Sequence, residues 1–167
     1  MASTDEGYQI PDELKVAGDT RWLNKSEWCQ SVLVYLSGAL TVSDATPTIV
    51  GYDTEDHDTN TLHDNVVNNS RLTCLIRGVY EISAFAVWQN SAVGHRIIRI
   101  KKNGGASIRD SVIMPVTTGI TTYHLLTTIH RLAYGDYLEM EVEHTAGGNL
   151  DLQAGAANSF FAMHRIA

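Results

Sequence analysis

The residues best suited to chemistry in this sequence are four acids and a histidine within six positions. Asp53, Glu55, Asp56, His57 and Asp58 would crowd carboxylates on one polar segment. Closely spaced carboxylate and carbonyl oxygens are the ligands that calcium prefers. The segment lacks the glycine and the distal glutamate of an EF-hand loop. We therefore interpret it as a solvated acidic loop, and we expect no metal and no other cofactor.

The histidines are scattered along the chain. His57 and His63 lie in or near the acidic segment, so they are the best candidates for a metal site. His124, His130 and His144 lie on predicted strands, where a lone histidine is more often packed or exposed than catalytic.

Paired carboxylates are the other possible source of catalysis. Glu139, Glu141 and Glu143 alternate, so they share one face of a predicted strand instead of opposing each other across a cleft. We interpret them as an outward row that repels itself and favours solubility. The sequence also lacks a Gly-x-Ser-x-Gly elbow, a His-Glu-x-x-His motif and a glycine-rich phosphate loop. We expect no enzymatic activity.

Length and composition narrow the class of protein. The 167 residues predict one domain, large enough to bury a core without disulfides or metals. A formal charge of −7, from 12 Lys+Arg against 19 Asp+Glu, argues against a nucleic-acid partner. No run approaches the roughly 20 apolar residues of a membrane span, and the first residues lack signal-peptide features. Cys29 and Cys74 are interpreted as free thiols.

The stretch 72–103 is the centre of the predicted fold. Apolar residues occupy every second position from Tyr80 to Trp88, and Ile98 and Ile100 alternate with basic residues in the next run. We predict two strands that form a hairpin. The Asn-Gly pair at 103–104 tolerates the positive φ that a tight turn requires.

Similar runs recur along the rest of the chain, with no convincing long helix. They lie at 31–36, 39–42, 48–50, 107–113, 123–132, 137–144, 150–152 and 159–166. Strands at such short spacing predict an antiparallel sandwich or barrel.

Four motifs, in order, resemble the C1q/TNF-like jelly-roll domain. They are Gly-Val-Tyr-Glu-Ile at 78–82, the run 96–104, Leu-Ala-Tyr-Gly-Asp-Tyr-Leu-Glu at 132–139 and Ser-Phe-Phe at 159–161. The chain is similar in particular to the versions in bacteriophage virion proteins, where the strand after Gly-x-Tyr carries a tryptophan, here Trp88, followed by a triplet such as Gly-His-Arg, here 94–96. The resemblance implies an all-β antiparallel jelly-roll sandwich that assembles as a trimer around an aromatic and aliphatic face.

Residues that pack the core or the trimer are expected on the strands that are apolar on one face or both. They are Tyr80, Ile82, Phe85, Trp88, Ile98, Ile100, Leu138, Met140, Val142, Phe160 and Phe161.

Residues 1–27 have no sustained period of two and are interrupted by Pro11 and Gly18. We predict an N-terminal attachment arm there, in which 12–16 could form a short helical turn, and a jelly-roll domain at 28–167. The arm would attach to its particle through apolar side chains spread along it. These are Tyr8, Ile10, Leu14, Trp22 and Leu23.

The first functional hypothesis is a non-enzymatic phage virion protein, assembled in the host cytoplasm. It would be a homotrimeric capsid decoration or fibre protein that binds capsid or other virion proteins. The second is a tail-fibre module that binds a host receptor or glycan, which an exposed cluster of Tyr52, Tyr123 or Tyr134 would favour. The third is a secreted C1q-like ligand domain, which would require a signal sequence or a collagen-like stalk.

Overall fold

The computed structural model describes residues 29–115, 117 and 119–167, together with the backbone of 13–15 and 22–24. β1 (Glu13–Lys15) pairs with β2 (Trp22–Asn24) in antiparallel register. The helical turn suggested for 12–16 is therefore wrong at 13–15, because the backbone there is extended. None of the described elements is a helix of the length and apolarity needed to cross a membrane.

Twelve further strands form the domain. In chain order they are β3 (Ser31–Tyr35), β4 (Leu40–Val42), β5 (Thr48–Ile49), β6 (Thr54–Asp58), β7 (Arg71–Thr73), β8 (Gly78–Trp88), β9 (Arg96–Lys102), β10 (Ser107–Ile113), β11 (Thr122–Leu132), β12 (Tyr137–His144), β13 (Leu150–Leu152) and β14 (Phe160–Arg165).

These strands form two sheets, and every pairing is antiparallel. The seven-stranded sheet has the order β4-β13-β8-β14-β3-β6, with β11 on the other side of β8. The five-stranded sheet has the order β10-β9-β12, and both β5 and β7 lie along the free edge of β12. The predicted all-β antiparallel sandwich is confirmed.

The core lies between the sheets and follows the period-two alternation of the sequence. On β8 the side chains of Tyr80, Ile82, Ala84, Ala86 and Trp88 are fully buried. This strand is central, because it pairs with β11 along its whole length and with β14 on its other side. On the facing sheet, β9 and β12 bury their own alternating apolar residues.

The predicted hairpin between β8 and β9 is wrong, because the two strands lie in different sheets. β9 pairs with β10 and β12 instead. Alternation fixes which side chains point inward, but it carries no information about which strand lies alongside. The tight turn that follows β9 is confirmed. Asn103 and Gly104 have φ of 54° and 65°, and Gly105 N donates to Lys102 O at 3.0 Å.

The connection at 89–95 carries the chain from one sheet to the other and is held by a buried arginine. The Arg96 side chain is fully buried, and its guanidinium donates to the carbonyl oxygens of Ser91, Val93 and His95 at 3.0–3.1 Å. Gly94 has φ of 72°, and a Cβ there would collide with the Thr145 backbone. The Gly-His-Arg triplet thus fixes this crossing.

Candidate functional site

The outward side of the seven-stranded sheet carries an apolar surface that we call the aromatic face. Alternation on β3, β8, β11 and β14 turns every second side chain away from the core. The face consists of Leu33, Tyr35, Phe85, Tyr123, Leu125, Ile129, Phe160 and Ala162.

Strand register aligns the largest of these side chains in one row. Tyr35 lies opposite Phe160, Phe160 opposite Phe85, and Phe85 opposite Leu125. The Phe85 ring packs on Phe160 at 5.3 Å and on Tyr123 at 6.3 Å between ring centroids. The aromatic face is therefore one continuous surface across four strands.

The part of this surface on β11 is open to solvent, and the part on β3, β8 and β14 is partly buried. Tyr123, Leu125 and Ile129 on β11 are 63%, 59% and 63% exposed. Contiguous apolar patches of more than a few hundred Å² are rare on monomeric proteins and mark interaction surfaces. The aromatic face is the strongest candidate for a functional surface among the described residues.

A polar row borders the aromatic face at one end. Ser31 lies opposite His164, and His164 lies opposite Glu81. Ser31 Oγ is also hydrogen-bonded to His57 Nε2 at 2.9 Å. This boundary is polar on β3, β14 and β8, and on β11 it ends at the apolar Ile129, which lies opposite Glu81.

The outward side of the five-stranded sheet has the opposite chemistry. Arg99 donates to Glu141 at 2.9 Å and forms an ion pair with Glu143 at 2.8 Å, and Lys101 donates to Glu141 at 3.1 Å. Burial opposes the charge of Arg99, but the hydrogen bonds to Glu143 and Glu141 outweigh it and raise its pKa. The interpretation of the glutamates as a self-repelling row is wrong, because β9 brings cations alongside them.

The acidic segment predicted as a loop is mostly the edge strand β6, and its carboxylates have partners of their own. Asp53 accepts hydrogen bonds from Ser37 N and Oγ, which lower the pKa of its carboxyl group. Glu55 is hydrogen-bonded to the buried His63 at 2.9 Å. In the part of the chain that the structure describes, no three His, Cys, Asp or Glu side chains are grouped to hold a metal ion.

The strand histidines that are buried link elements of the core. His124 Nε2 is 3.0 Å from Ser111 Oγ on the facing sheet, and burial lowers the pKa of His124 to about 4. His144 Nε2 is 2.9 Å from Val42 O. His144 also packs edge-on against Trp88.

No family model matches the sequence, and no curated protein matches it either. Solved structures match across most of the domain. Eiger TNF from S. frugiperda is 14% identical, with a TM-score of 0.59, over 83% of this chain and 93% of that one. Murine APRIL is 8% identical, with a TM-score of 0.63, over 83% and 99%. The globular domain of the zebrafish complement 1qA protein is 17% identical, with a TM-score of 0.54, over 83% and 98%.

The fold is a C1q/TNF-like jelly roll. At these identities the similarity establishes the fold alone, and function has to be argued from this chain's own surfaces.

Nine of the eleven residues predicted to pack the core or the trimer lie inside the jelly roll. They are Tyr80, Ile82, Trp88, Ile98, Ile100, Leu138, Met140, Val142 and Phe161. The other two, Phe85 and Phe160, are partly buried on the aromatic face.

The residues predicted to attach the arm are only partly described. Leu14 lies opposite Leu23, and Trp22 lies opposite Lys15, in the pairing of β1 with β2. Tyr8 and Ile10 lie outside the described residues.

Sequence reasoning missed the part of the aromatic face that β11 provides. Tyr123, Leu125 and Ile129 alternate with inward residues that include the polar His124, so hydropathy does not separate the two sides of this strand. The tyrosine cluster that would favour glycan binding does not form. Tyr52 is buried against Phe161, while Tyr123 lies on β11 and Tyr134 lies in the turn after the opposite end of that strand.

Proposed function

We propose that this chain is a non-enzymatic structural protein that works as a homotrimer, with the aromatic face buried around the threefold axis. The observation that carries the proposal is the continuous row of Tyr35, Phe160, Phe85 and Leu125 on the outward side of the seven-stranded sheet. Removing apolar area from water favours assembly by about 25 cal/mol per Å², and the lost freedom of the associating chains offsets part of this gain. The resemblance to C1q/TNF-like domains supports threefold closure over other symmetries.

The particle that we propose for this trimer is a bacteriophage virion, with the protein as a capsid decoration or fibre protein. Support comes from the sequence, in which Trp88 follows the Gly-x-Tyr motif and the triplet at 94–96 comes after it. In this proposal residues 1–27 bind capsid or other virion proteins, and residues 28–167 form the trimeric domain. Three arms on one trimer would bind together at high effective concentration, so weak contacts would suffice.

Two measurements test the two parts of the proposal. Sedimentation equilibrium at micromolar concentration should give the mass of three chains, and a monomer would refute the trimer. A chain without residues 1–27 should remain trimeric and lose retention on purified virions. Full retention by the truncated trimer would show that the domain, not the arm, makes the contact.

A secreted C1q-like ligand domain is the second candidate. The similarity to Eiger TNF from S. frugiperda and to the zebrafish complement 1qA domain favours it. This candidate predicts a trimer that binds a cell surface and is not retained on virions. The hypothesis of a receptor- or glycan-binding tail-fibre module is no longer favoured, because Tyr52, Tyr123 and Tyr134 do not form an exposed cluster.

A further inference from the structure

A cavity of about 660 Å³ opens at the end of the sandwich where β8 begins and β11 ends. Four cationic side chains line it: Arg77, Lys102, Arg131 and Arg165. The whole chain has only 12 Lys+Arg and a formal charge of −7. A third of its cations therefore meet at one cavity, which makes this a local positive site on an acidic protein.

One carboxylate side chain lines the same cavity, and its hydrogen-bonding capacity is already used. Asp136 forms an ion pair with Lys102 at 2.7 Å and accepts hydrogen bonds from Asn103 Nδ2 and Ala133 N, both at 2.8 Å. Arg77 and Arg131 are exposed and have no acidic partner among the residues that the structure describes. Arg77 and Arg131 therefore bring positive charge to the cavity that no acidic side chain of the described residues matches.

The guanidinium of Arg165 is largely buried at the cavity and contacts the backbone of Arg77. Arg165 is 8% exposed, and its Nη2 donates to Arg77 O at 3.4 Å. Gly78 allows this position, because a Cβ there would lie 2.5 Å from Arg165 Nε. A buried guanidinium loses less conformational freedom on binding than an exposed one.

We propose that this cationic pocket binds an oxyanion, a phosphate, sulfate or carboxylate group, carried on a small molecule or a sugar residue. Guanidinium groups match the geometry of these anions with two parallel hydrogen bonds. The volume falls in the range of small-molecule sites and exceeds that of a single anion. The pocket goes beyond the structural role of the trimer and does not depend on it.

The test compares a double variant with a matched control by titration calorimetry. Arg77→Gln combined with Arg131→Gln removes two cations from the pocket, and Arg109→Gln removes an exposed cation from β10, outside it. Inorganic phosphate, inorganic sulfate and a sulfated disaccharide serve as probes at constant ionic strength. We expect saturable binding to the wild type, a loss of about tenfold or more in the double variant and no loss in Arg109→Gln.

Two controls keep the test decisive. Thermal melting without anion shows that the double variant is folded, and sedimentation shows that its assembly equals that of the wild type, since Arg131 lies at the end of β11. A gain for the sulfated disaccharide over sulfate supports a sugar-borne anion, and equal affinities support a free one. Non-saturable binding, or equal losses in the double variant and Arg109→Gln, would overturn the proposal.

Discussion

The outward sides of the two sheets differ although both belong to one sandwich. On the five-stranded sheet, Arg99 and Lys101 alternate with the glutamates of β12 in a ladder of ion pairs. On the seven-stranded sheet, the outward-facing positions carry Phe85, Phe160 and their apolar neighbours. The first surface satisfies its own charges in water, and the second remains apolar and exposed. In the function that we propose, the seven-stranded sheet is the one that associates and the five-stranded sheet faces water.

The largest effect is expected from placing a charge on the aromatic face. Phe85→Glu would bury a carboxylate among apolar rings in the assembly, so the trimer should dissociate to monomers in sedimentation equilibrium. Val112→Glu makes a similar change at a 57% exposed position on β10 and should leave the trimer intact. Should Phe85→Glu fail to fold, Leu125→Glu tests the same face at a more exposed site. A trimer in every variant would place the interface elsewhere.

A smaller effect is expected from removing one carboxylate of the ladder. Glu141→Gln leaves Arg99 and Lys101 without their shared charged partner at a mostly buried position, so unfolding free energy should fall by about 1–3 kcal/mol. Glu81→Gln, an exposed glutamate beside the aromatic face, should change it by less than about 0.5 kcal/mol. Denaturant titration at pH 7 and equal protein concentration measures both. Equal changes of unfolding free energy in the two variants would mean that the ion pairs of the ladder do not stabilise the fold.

An effect that appears only at acid pH concerns His124, which joins the two sheets through Ser111. Burial lowers the folded-state pKa of His124 to about 4 from 6.5, so the unfolded chain binds this proton first as the pH falls. The contribution of the neutral imidazole to the free energy of unfolding is fully present above pH 6.5. It is lost as the pH falls towards 4. His124→Gln should flatten the stability profile in this window, by at most about 1.4 kcal/mol per pH unit. An unchanged slope would mean that another group titrates there.

The inward pattern of the fold could be predicted because alternation is a local property. Leu138, Met140 and Val142 are buried as expected, and Asn103 forms the expected turn. The choice of neighbouring strand is not local. The alternation on β8 shows which of its side chains face the core, but it is compatible with more than one neighbouring strand. Sequence alone therefore could not show that β9 lies in the other sheet.

The candidate functional surfaces were predicted less well for the same reason. Phe85 and Phe160 were found because their strands are apolar on both sides, whereas the contribution of β11 was missed. The ladder had a usable signal, since the alternating cations of β9 complement the alternating glutamates of β12. The cationic pocket had none, because Arg77, Lys102, Arg131 and Arg165 come from four separate parts of the chain.

The arginine that holds the connection at 89–95 also constrains the order of events in folding. Removing the guanidinium of Arg96 from water without acceptors would cost several kcal/mol. Its acceptors belong to the connection itself, so that connection must be shaped by the time the two sheets close over it. A substitution that disturbs it, such as Gly94→Ala, should therefore slow folding and not merely speed unfolding. Stopped-flow refolding of Gly94→Ala measures this, and an unchanged folding rate would mean that the crossing forms only after the sheets have closed.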